Sequence, residues 1–182
     1  MSLVQKIHHV AYRCNDALET ARWYEKHLDM KLVLSIAEDA VPSTGAADPY
    51  MHIFMDAGMG NVLAFFELPT CAPMGRDENT PNWTQHLAME VDSIDTMMAA
   101  KARLEAAGIE VVGPTDHALF KSIYFYDPNG HRLELAANTT RPGMLEALDK
   151  VKWDMLEEWA KTKKAPKHAA WMHDGSYVEM FK

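Results

Sequence analysis

Hydrophobic and polar residues alternate in short runs along the first half of the chain, and these runs predict an order of elements. "KIHHVAYRC" (6–14) predicts a strand, and "DALETARWYEKHLDM" (16–30) predicts a helix with Asp16 as its N-cap. "KLVLSI" (31–36) predicts a second strand. "YMHIFMDA" and "NVLAFFEL" predict two more strands, joined by the Gly-Met-Gly turn at 58–60. The first half is therefore predicted to be β-α-β-β-β.

The second half repeats this order. "HLAMEVD" (86–92) predicts a strand, and "SIDTMMAAKARLEAAG" (93–108) predicts a helix with Ser93 as its N-cap. Three strands follow in "IEVVGP", "LFKSIYFYD" and "GHRLELA", the last two joined by a tight turn at 127–130. Because the same order occurs twice, we expect a duplicated α+β fold of two βαβββ modules.

The pattern changes after residue 138, where one long helix is predicted. "RPGMLEALDKVKWDMLEEWAKTKK" (141–164) carries a broken apolar stripe. The stripe consists of Leu145, Leu148, Trp153, Leu156 and Trp159. We expect the helix to pack on the domain or on a partner subunit, with a lid over a site as the alternative. The predicted organisation is a domain of residues 1–138, with modules of about 6–68 and 83–138, and a helical extension of residues 139–182.

Composition limits the classes of function. The 182 residues are 48% hydrophobic and 24% charged with a net charge of -8, so the chain lacks the basic excess of a nucleic-acid-binding protein. Cys14 and Cys71 provide neither a disulfide framework nor a paired zinc motif, which fits a reducing compartment. The N-terminus has no signal-peptide core, and no apolar run reaches the roughly 20 residues of a membrane helix. We expect a soluble cytoplasmic protein without a nucleic-acid or membrane partner.

Four strands carry a histidine or a glutamate on the face that alternation places away from the predicted core. His9 and His86 belong to the first strand of each half, and Glu67 and Glu134 belong to the last. The predicted core positions of these strands are Val10, Tyr12, Val62, Ala64, Phe66, Leu68, Leu87, Met89, Val91, Leu133 and Leu135. The four polar side chains are thus expected on the faces away from the helices.

The matched placement of these four side chains predicts a metal site. Taken singly, each is more often a structural residue. Two imidazoles with one or two carboxylates suit a divalent metal, and a set of two histidines and one carboxylate suits Fe(II) with open positions. The spacing is 77 residues from His9 to His86 and 67 from Glu67 to Glu134, and a longer loop at 37–49 is the proposed cause of the difference.

The chain resembles the vicinal oxygen chelate superfamily, which includes glyoxalase I, extradiol dioxygenases, methylmalonyl-CoA epimerase, and fosfomycin and bleomycin resistance proteins. The resemblance covers roughly residues 6–138 and depends on "HHVAYRCNDALETARWYEKHLDM", "HLAMEVDSIDTMMAAKARLEAAGIEVVGP" and "IYFYDPNGHRLEL". It implies two modules whose mixed sheets form a cup around one metal ion. It also implies that His9, His86 and Glu134 are metal ligands. Glu67 matches the additional carboxylate of glyoxalase I.

Residues 115–134 are most similar to the extradiol dioxygenases. "TDHALFKSIYFYDPNGHRLE" contains His117, Tyr124, the Asp-Pro-x-Gly turn and Glu134 in the order found in those enzymes. The resemblance implies that His117 and Tyr124 lie near a bound catechol and assist with protons and hydrogen bonds. The structural alternatives are a solvent-exposed loop position for His117 and ordinary strand packing for Tyr124.

The role of Glu67 separates the candidate reactions. Ring cleavage needs open metal positions for substrate and O₂, whereas a fourth ligand suits isomerisation, in which a ligating Glu67 acts as a catalytic base. We place cleavage of a small catechol-like substrate by an Fe²⁺ or Mn²⁺ enzyme first, with Leu63, Phe65 and Arg13 lining the substrate pocket. The alternatives are a glyoxalase I-type lyase or an epimerase with Zn²⁺, Ni²⁺ or Co²⁺, and a resistance-type small-molecule binding protein. A homodimer is expected in each case.

Overall fold

The computed structural model describes residues 3–4 and 6–182. Residues 1, 2 and 5, which belong to the N-terminal segment without a predicted signal-peptide core, lie outside the described residues. The first four-stranded sheet has the order β1-β4-β3-β2, and α1 follows β1 along the chain. Its elements are β1 (Val10–Cys14), α1 (Ala17–Leu28), β2 (Lys31–Glu38), β3 (Tyr50–Asp56) and β4 (Val62–Glu67). Strands β1 and β4 pair in parallel, and the other neighbours are antiparallel.

The second sheet has the equivalent order β5-β8-β7-β6. Its elements are β5 (Leu87–Val91), α2 (Ile94–Ala106), β6 (Val112–Asp116), β7 (Phe120–Tyr126) and β8 (Arg132–Asn138). The predicted β-α-β-β-β order is therefore confirmed in both halves. Two strands differ from their predicted bounds. Strand β1 begins at Val10 and not at residue 6, and β6 covers 112–116 and not 109–114.

Helix α1 begins where the sequence predicts it. The Asp16 side chain accepts a hydrogen bond from the Glu19 backbone N–H at 2.7 Å and satisfies one of the free donors of the first turn. The helix buries Tyr24 against Phe65 of β4, with the ring centroids 5.0 Å apart. Burial of each aromatic side chain contributes on the order of 2–3 kcal/mol. The core of the first sheet therefore lies between α1 and the face of β4 that carries Phe65.

Helix α2 is capped in the same way, since the Ser93 hydroxyl accepts from the Thr96 backbone N–H at 3.1 Å. Its buried residues are Met97, Ala100 and Leu104, which recur at the three- and four-residue spacing of one helix face. The second sheet contributes further fully buried side chains, Ile123, Phe125 and Leu133. Each module thus has its own helix and its own buried apolar residues.

The C-terminal extension forms α3 (Met144–Thr162), α4 (Trp171–Asp174) and α5 (Tyr177–Met180). We call its buried centre, Ala118, Met144, Ala169 and Trp171, the C-terminal cluster. Of the predicted apolar stripe only Leu148 packs against this cluster, while Leu145, Trp153, Leu156 and Trp159 are exposed. Residues of α3, α4 and α5 therefore pack around this cluster, and most of the stripe faces solvent in this chain.

The chain divides into two compact units. The first comprises the chain up to His86 together with Tyr126–Arg132, and the second comprises Leu87–Phe125 and Leu133–Lys182. The short hairpin segment belongs to the first unit because its polar groups are bonded there. The Asp127 carboxylate accepts from the Tyr24 hydroxyl at 3.0 Å, for example. No helix of residues 3–4 and 6–182 is long and apolar enough to cross a membrane.

Candidate functional site

One face of the first sheet carries aromatic and imidazole rings around His9. The His9 ring lies 5.9 Å from Phe54 and 6.3 Å from His52, measured between centroids. His52 stacks on Phe66 with a centroid distance of 3.6 Å and an interplanar angle of 18°. We call this surface the His9 face. Arg13 belongs to it, because Arg13 of β1 and His52 of β3 are both register partners of Phe66.

The opposite face of β4 packs on α1, and here the strand prediction is wrong. Leu63, Phe65 and Glu67 were expected on the site face, yet Phe65 contacts Tyr24 of α1 and Leu63 is 2% exposed. Phe66, assigned to the core, lies instead on the His9 face. The physical reason is that β4 has apolar side chains of similar size on both faces, so alternation alone does not reveal which face packs on the helix. Leu63 and Phe65 are core residues and not pocket residues.

Glu67 is bound to the start of α1. Its carboxylate accepts a hydrogen bond from the Ala17 backbone N–H at 2.7 Å, where a negative charge also complements the helix dipole. The register between strands shows that Glu67 is not the counterpart of Glu134. In the second sheet Ala88 pairs with Glu134, and in the first sheet the equivalent Ala11 pairs with Ala64. The duplicated carboxylate position is therefore an alanine in the first module.

Glu134 is a buried carboxylate in the middle of β8. Its residue exposure is 2%, and its carboxylate accepts a hydrogen bond from the Ser122 hydroxyl of β7. Burial of a charged carboxylate is costly unless other groups compensate it. A hydroxyl donor on one carboxylate oxygen is also how proteins orient metal-ligating carboxylates. The environment of Glu134 therefore suits a cation ligand.

His117 and Tyr124 are brought together in the second unit. The His117 Nε2 atom lies 2.9 Å from the Tyr124 hydroxyl, and Tyr124 is 9% exposed. Tyr124 follows Ser122 by two residues in β7, so both side chains lie on the same face of the strand. Because Ser122 contacts Glu134, this face carries the imidazole, the phenol and the carboxylate in sequence. Neither His117 nor Tyr124 is an isolated surface or packing residue.

The remaining predicted ligands lie just before the first strand of each module. His9 is exposed, and its Nδ1 atom is 2.8 Å from Nδ1 of His8; His86 is also exposed and precedes β5 by one residue. Among residues 3–4 and 6–182, no three His, Cys, Asp or Glu side chains form a ready-made metal site. The donor types of His9, His86 and Glu134, two imidazoles and a carboxylate, match those that bind Fe²⁺ or Mn²⁺.

Two buried nitrogen atoms on the His9 face have no hydrogen-bond partner within the described residues. They are Nε of Arg13 and Nε2 of His52. The Arg13 Nη2 group donates to the Ala72 carbonyl at 2.5 Å. Burial, with a smaller contribution from His9, lowers the pKa of the His52 imidazole. His52 and Ser122 were not among the predicted site residues, although a polar residue within an apolar strand is the same signal that Glu134 gives.

The chain belongs to the Glyoxalase/Bleomycin resistance protein/Dioxygenase superfamily, whose family model matches residues 6–135. This agrees with the fold of two βαβββ modules and confirms the resemblance found in the sequence.

Particular relatives are more distant. The protein named "Putative ring-cleaving dioxygenase MhqA" of Bacillus subtilis is 29% identical over 144 residues, which cover 77% of this chain and 42% of that protein. The chain thus spans about two-fifths of that relative. A glyoxylase/bleomycin resistance protein/dioxygenase domain from Frankia has a TM-score of 0.59 at 21% identity, covering 74% of this chain and 98% of its own. The trypanothione-dependent glyoxalase I of Leishmania major has a TM-score of 0.56 at 19% identity, with coverages of 86% and 99%.

Proposed function

We propose that the chain is a metal-dependent extradiol-type dioxygenase that cleaves a small catechol-like substrate. The observation that carries this proposal is the row of His117, Tyr124, Ser122 and Glu134 on one face of the second sheet. An imidazole paired with a phenol, next to a buried carboxylate, provides proton transfer beside a cation ligand. The sequence similarity to a protein named as a ring-cleaving dioxygenase supports the same reaction class.

The proposed metal ligands are His9, His86 and Glu134. Glu67 is hydrogen-bonded to the start of α1, and Ala64 occupies the position in the first module that corresponds to Glu134. The proposed set therefore has three protein ligands. Three ligands leave open positions, as a reaction with both a bidentate substrate and O₂ requires. When bound, Fe²⁺ or Mn²⁺ would act as a Lewis acid that stabilises the anionic form of the two substrate oxygens.

The protein residues act on protons and on orientation. The Tyr124 hydroxyl is positioned to exchange a hydrogen bond with a substrate hydroxyl, and His117 Nε2 lies within reach to take the proton from Tyr124. The Ser122 hydroxyl holds the Glu134 carboxylate in one orientation. In the overall reaction one C–C bond of the ring is broken, and both atoms of O₂ enter the ring-opened product.

The glyoxalase-type and epimerase alternatives depended on Glu67 as a fourth ligand and base. Its hydrogen bond to Ala17 removes the observation that favoured them. A resistance-type binding protein would bind its ligand without turnover, so an activity assay separates this class from an enzyme.

We also propose that the protein acts as a homodimer, an assembly that the exposed apolar side chains Trp153, Leu156 and Trp159 would suit.

The decisive experiment compares two substrates on one preparation. Protein freed of metal is reconstituted anaerobically with Fe²⁺ and offered catechol with O₂, and in parallel the methylglyoxal–glutathione hemithioacetal without O₂. We expect a yellow ring-opened product from catechol and no turnover of the thioacetal. The Glu134→Gln variant should be inactive. Turnover of the thioacetal in the absence of O₂ would instead assign the chain to the glyoxalase class.

A further inference from the structure

The His9 face contains two buried nitrogen donors that the proposed metal chemistry does not use. Arg13 Nε and His52 Nε2 are both buried, and neither has a hydrogen-bond partner within the described residues. A buried polar atom left unsatisfied is destabilising, so native proteins rarely retain one without a function. Two such atoms on one face of one sheet therefore indicate a site that is completed by a ligand.

The strand register places the two residues on either side of Phe66. Arg13 of β1 and His52 of β3 are both register partners of Phe66 of β4. The His52 ring stacks on Phe66 at 3.6 Å and lies 4.1 Å from Phe54. The arrangement is an aromatic surface flanked by an arginine on one side and an imidazole on the other.

The chemistry of the two nitrogen atoms specifies the ligand group. Arginine Nε always carries a hydrogen and is always a donor, and His52 Nε2 can be a donor in one tautomer. Two donors on one face, one of them on a permanent cation, match an anionic oxygen group such as a carboxylate. The neighbouring rings of Phe54 and Phe66 suit a planar aromatic ligand, since aromatic rings favour offset or edge-to-face contact.

We propose that Arg13 and His52 bind a carboxylate carried by the aromatic substrate, so that the preferred substrate is a hydroxylated aromatic acid and unsubstituted catechol is a poorer one. The hydroxylated ring in this inference rests on the proposed function, whereas the carboxylate site is inferred from Arg13 and His52 alone. Arg13 is half-buried and donates to the Ala72 carbonyl. Binding therefore requires the Arg13 side chain to rotate and exchange contacts in favour of the carboxylate.

Binding of benzoate and of neutral benzamide tests the site directly. Calorimetry is done on the full-length protein, both metal-loaded and after chelator treatment, so that binding of benzoate to the metal is recognised. We expect benzoate to bind at least about tenfold more tightly than benzamide in both forms, the ratio typical of a charged hydrogen bond. His52→Phe and Arg13→Met should each abolish this preference. The matched control is His27→Phe, a buried histidine of α1 on the other side of the sheet, which should bind as the wild type does.

A second readout distinguishes a binding role from a structural one. His52→Phe keeps the aromatic stack on Phe66 but removes the unsatisfied nitrogen, so it should raise the Tm by about 2–4 °C while weakening benzoate binding. Equal binding of benzoate and benzamide, or wild-type affinity in the His52→Phe variant, would overturn the inference.

The outcomes of the two proposals are separable. Cleavage of catechol by a protein that does not bind benzoate would refute the carboxylate site and leave the dioxygenase function intact. Benzoate binding that depends on Arg13 and His52, without cleavage of catechol or 3,4-dihydroxybenzoate, would support the site and refute the function.

Discussion

The carboxylate of Glu67 accepts a hydrogen bond from the Ala17 backbone N–H at 2.7 Å, and this contact places Glu67 on the face of β4 that packs on α1. A carboxylate at this position satisfies a free donor of the first helical turn and interacts favourably with the helix dipole. Its function is thus to attach α1 to the sheet. The contact also reduces the proposed ligand set from four side chains to three.

Two matched substitutions test this assignment. Glu67→Gln should retain about one metal ion per chain, because the amide oxygen can still accept from Ala17 and no ligand is lost. Glu134→Gln should lose most of the metal, because a neutral amide is a poor ligand. Metal content is measured by elemental analysis of protein prepared without chelators. Equal loss of metal in both variants would restore Glu67 as a ligand. Glu67→Ala should lower the free energy of unfolding by about 1 kcal/mol.

Most of the fold could be predicted because several local signals agree. Asp16 and Ser93 are favourable N-caps, and the structure shows both side chains accepting from the first turn of their helices. The repetition of the β-α-β-β-β order added a constraint that no single element provides. Strand bounds were less accurate, as β1 and β6 show, because strand ends depend on pairing partners that are distant in sequence.

Candidate site residues could be proposed only where the chemistry of a residue contradicts its surroundings. Glu134 stays a prediction, which was motivated by a carboxylate between two leucines and by the matched His and Glu positions of the two halves. His52 gives the same signal within "YMHIFMD" but was overlooked. In β4 no such contradiction exists, since Leu63 and Phe65 are as apolar as Phe66. The face of β4 that is buried against α1 is identified only by the contact between Phe65 and Tyr24. That contact is tertiary and is not encoded in local alternation.

The pair of His117 and Tyr124 leads to a second prediction. Tyr124→Phe and His117→Gln should each lower kcat for ring cleavage by about 10²-fold, the usual contribution of one general acid or base, with unchanged metal content. The double variant should be little worse than either single variant, because the two groups act as one unit through their 2.9 Å contact. Tyr126→Phe, at the exposed end of the same strand, is the control and should keep wild-type kcat. Additive losses in the double variant would contradict a coupled pair.

The two cysteines should differ strongly in reactivity. Cys14 is 1% exposed, and burial raises the pKa of its thiol from 9.0 to about 11, whereas Cys71 is exposed. Since the thiolate is the reactive form, Cys14 has about 100-fold less of it than an ordinary thiol at pH 8, in addition to its steric protection. Alkylation of native protein at pH 8 should modify one thiol rapidly, and Cys71→Ser should abolish that phase. Peptide mapping that finds Cys14 modified in the native state would disprove this.

Stability at alkaline pH should depend on Tyr24. Burial, and then the nearby Asp127 carboxylate, raises the pKa of the Tyr24 phenol well above its usual value of 10. Because the pKa of the Tyr24 phenol is higher in the folded than in the unfolded protein, the stabilisation provided by the neutral phenol is complete below about pH 10. It is lost above that pH at up to ~1.4 kcal/mol per pH unit. Tyr24→Phe should cost about 1.5–3 kcal/mol at pH 8 and should lose less further stability than the wild type between pH 10 and 11. Urea unfolding at several pH values measures both, and parallel curves for the two proteins would contradict the assignment.

The C-terminal cluster should control the position of His117. Trp171 and Ala118, the residue after His117, belong to the same buried cluster, and the Thr139 hydroxyl donates to the Ala118 carbonyl at 3.2 Å. Trp171→Ala removes a large buried side chain, so the free energy of unfolding should fall by about 3 kcal/mol. Because the turn that carries His117 then loses its support, kcat should fall while metal content is unchanged. Trp83→Ala is the matched control, since Trp83 is also a tryptophan but is 69% exposed, and its removal should change stability by less than about 0.5 kcal/mol. If Trp171→Ala lowered stability but left kcat at the wild-type value, the extension would be a stabilising element only, and His117 would be positioned by β6 and β7 alone.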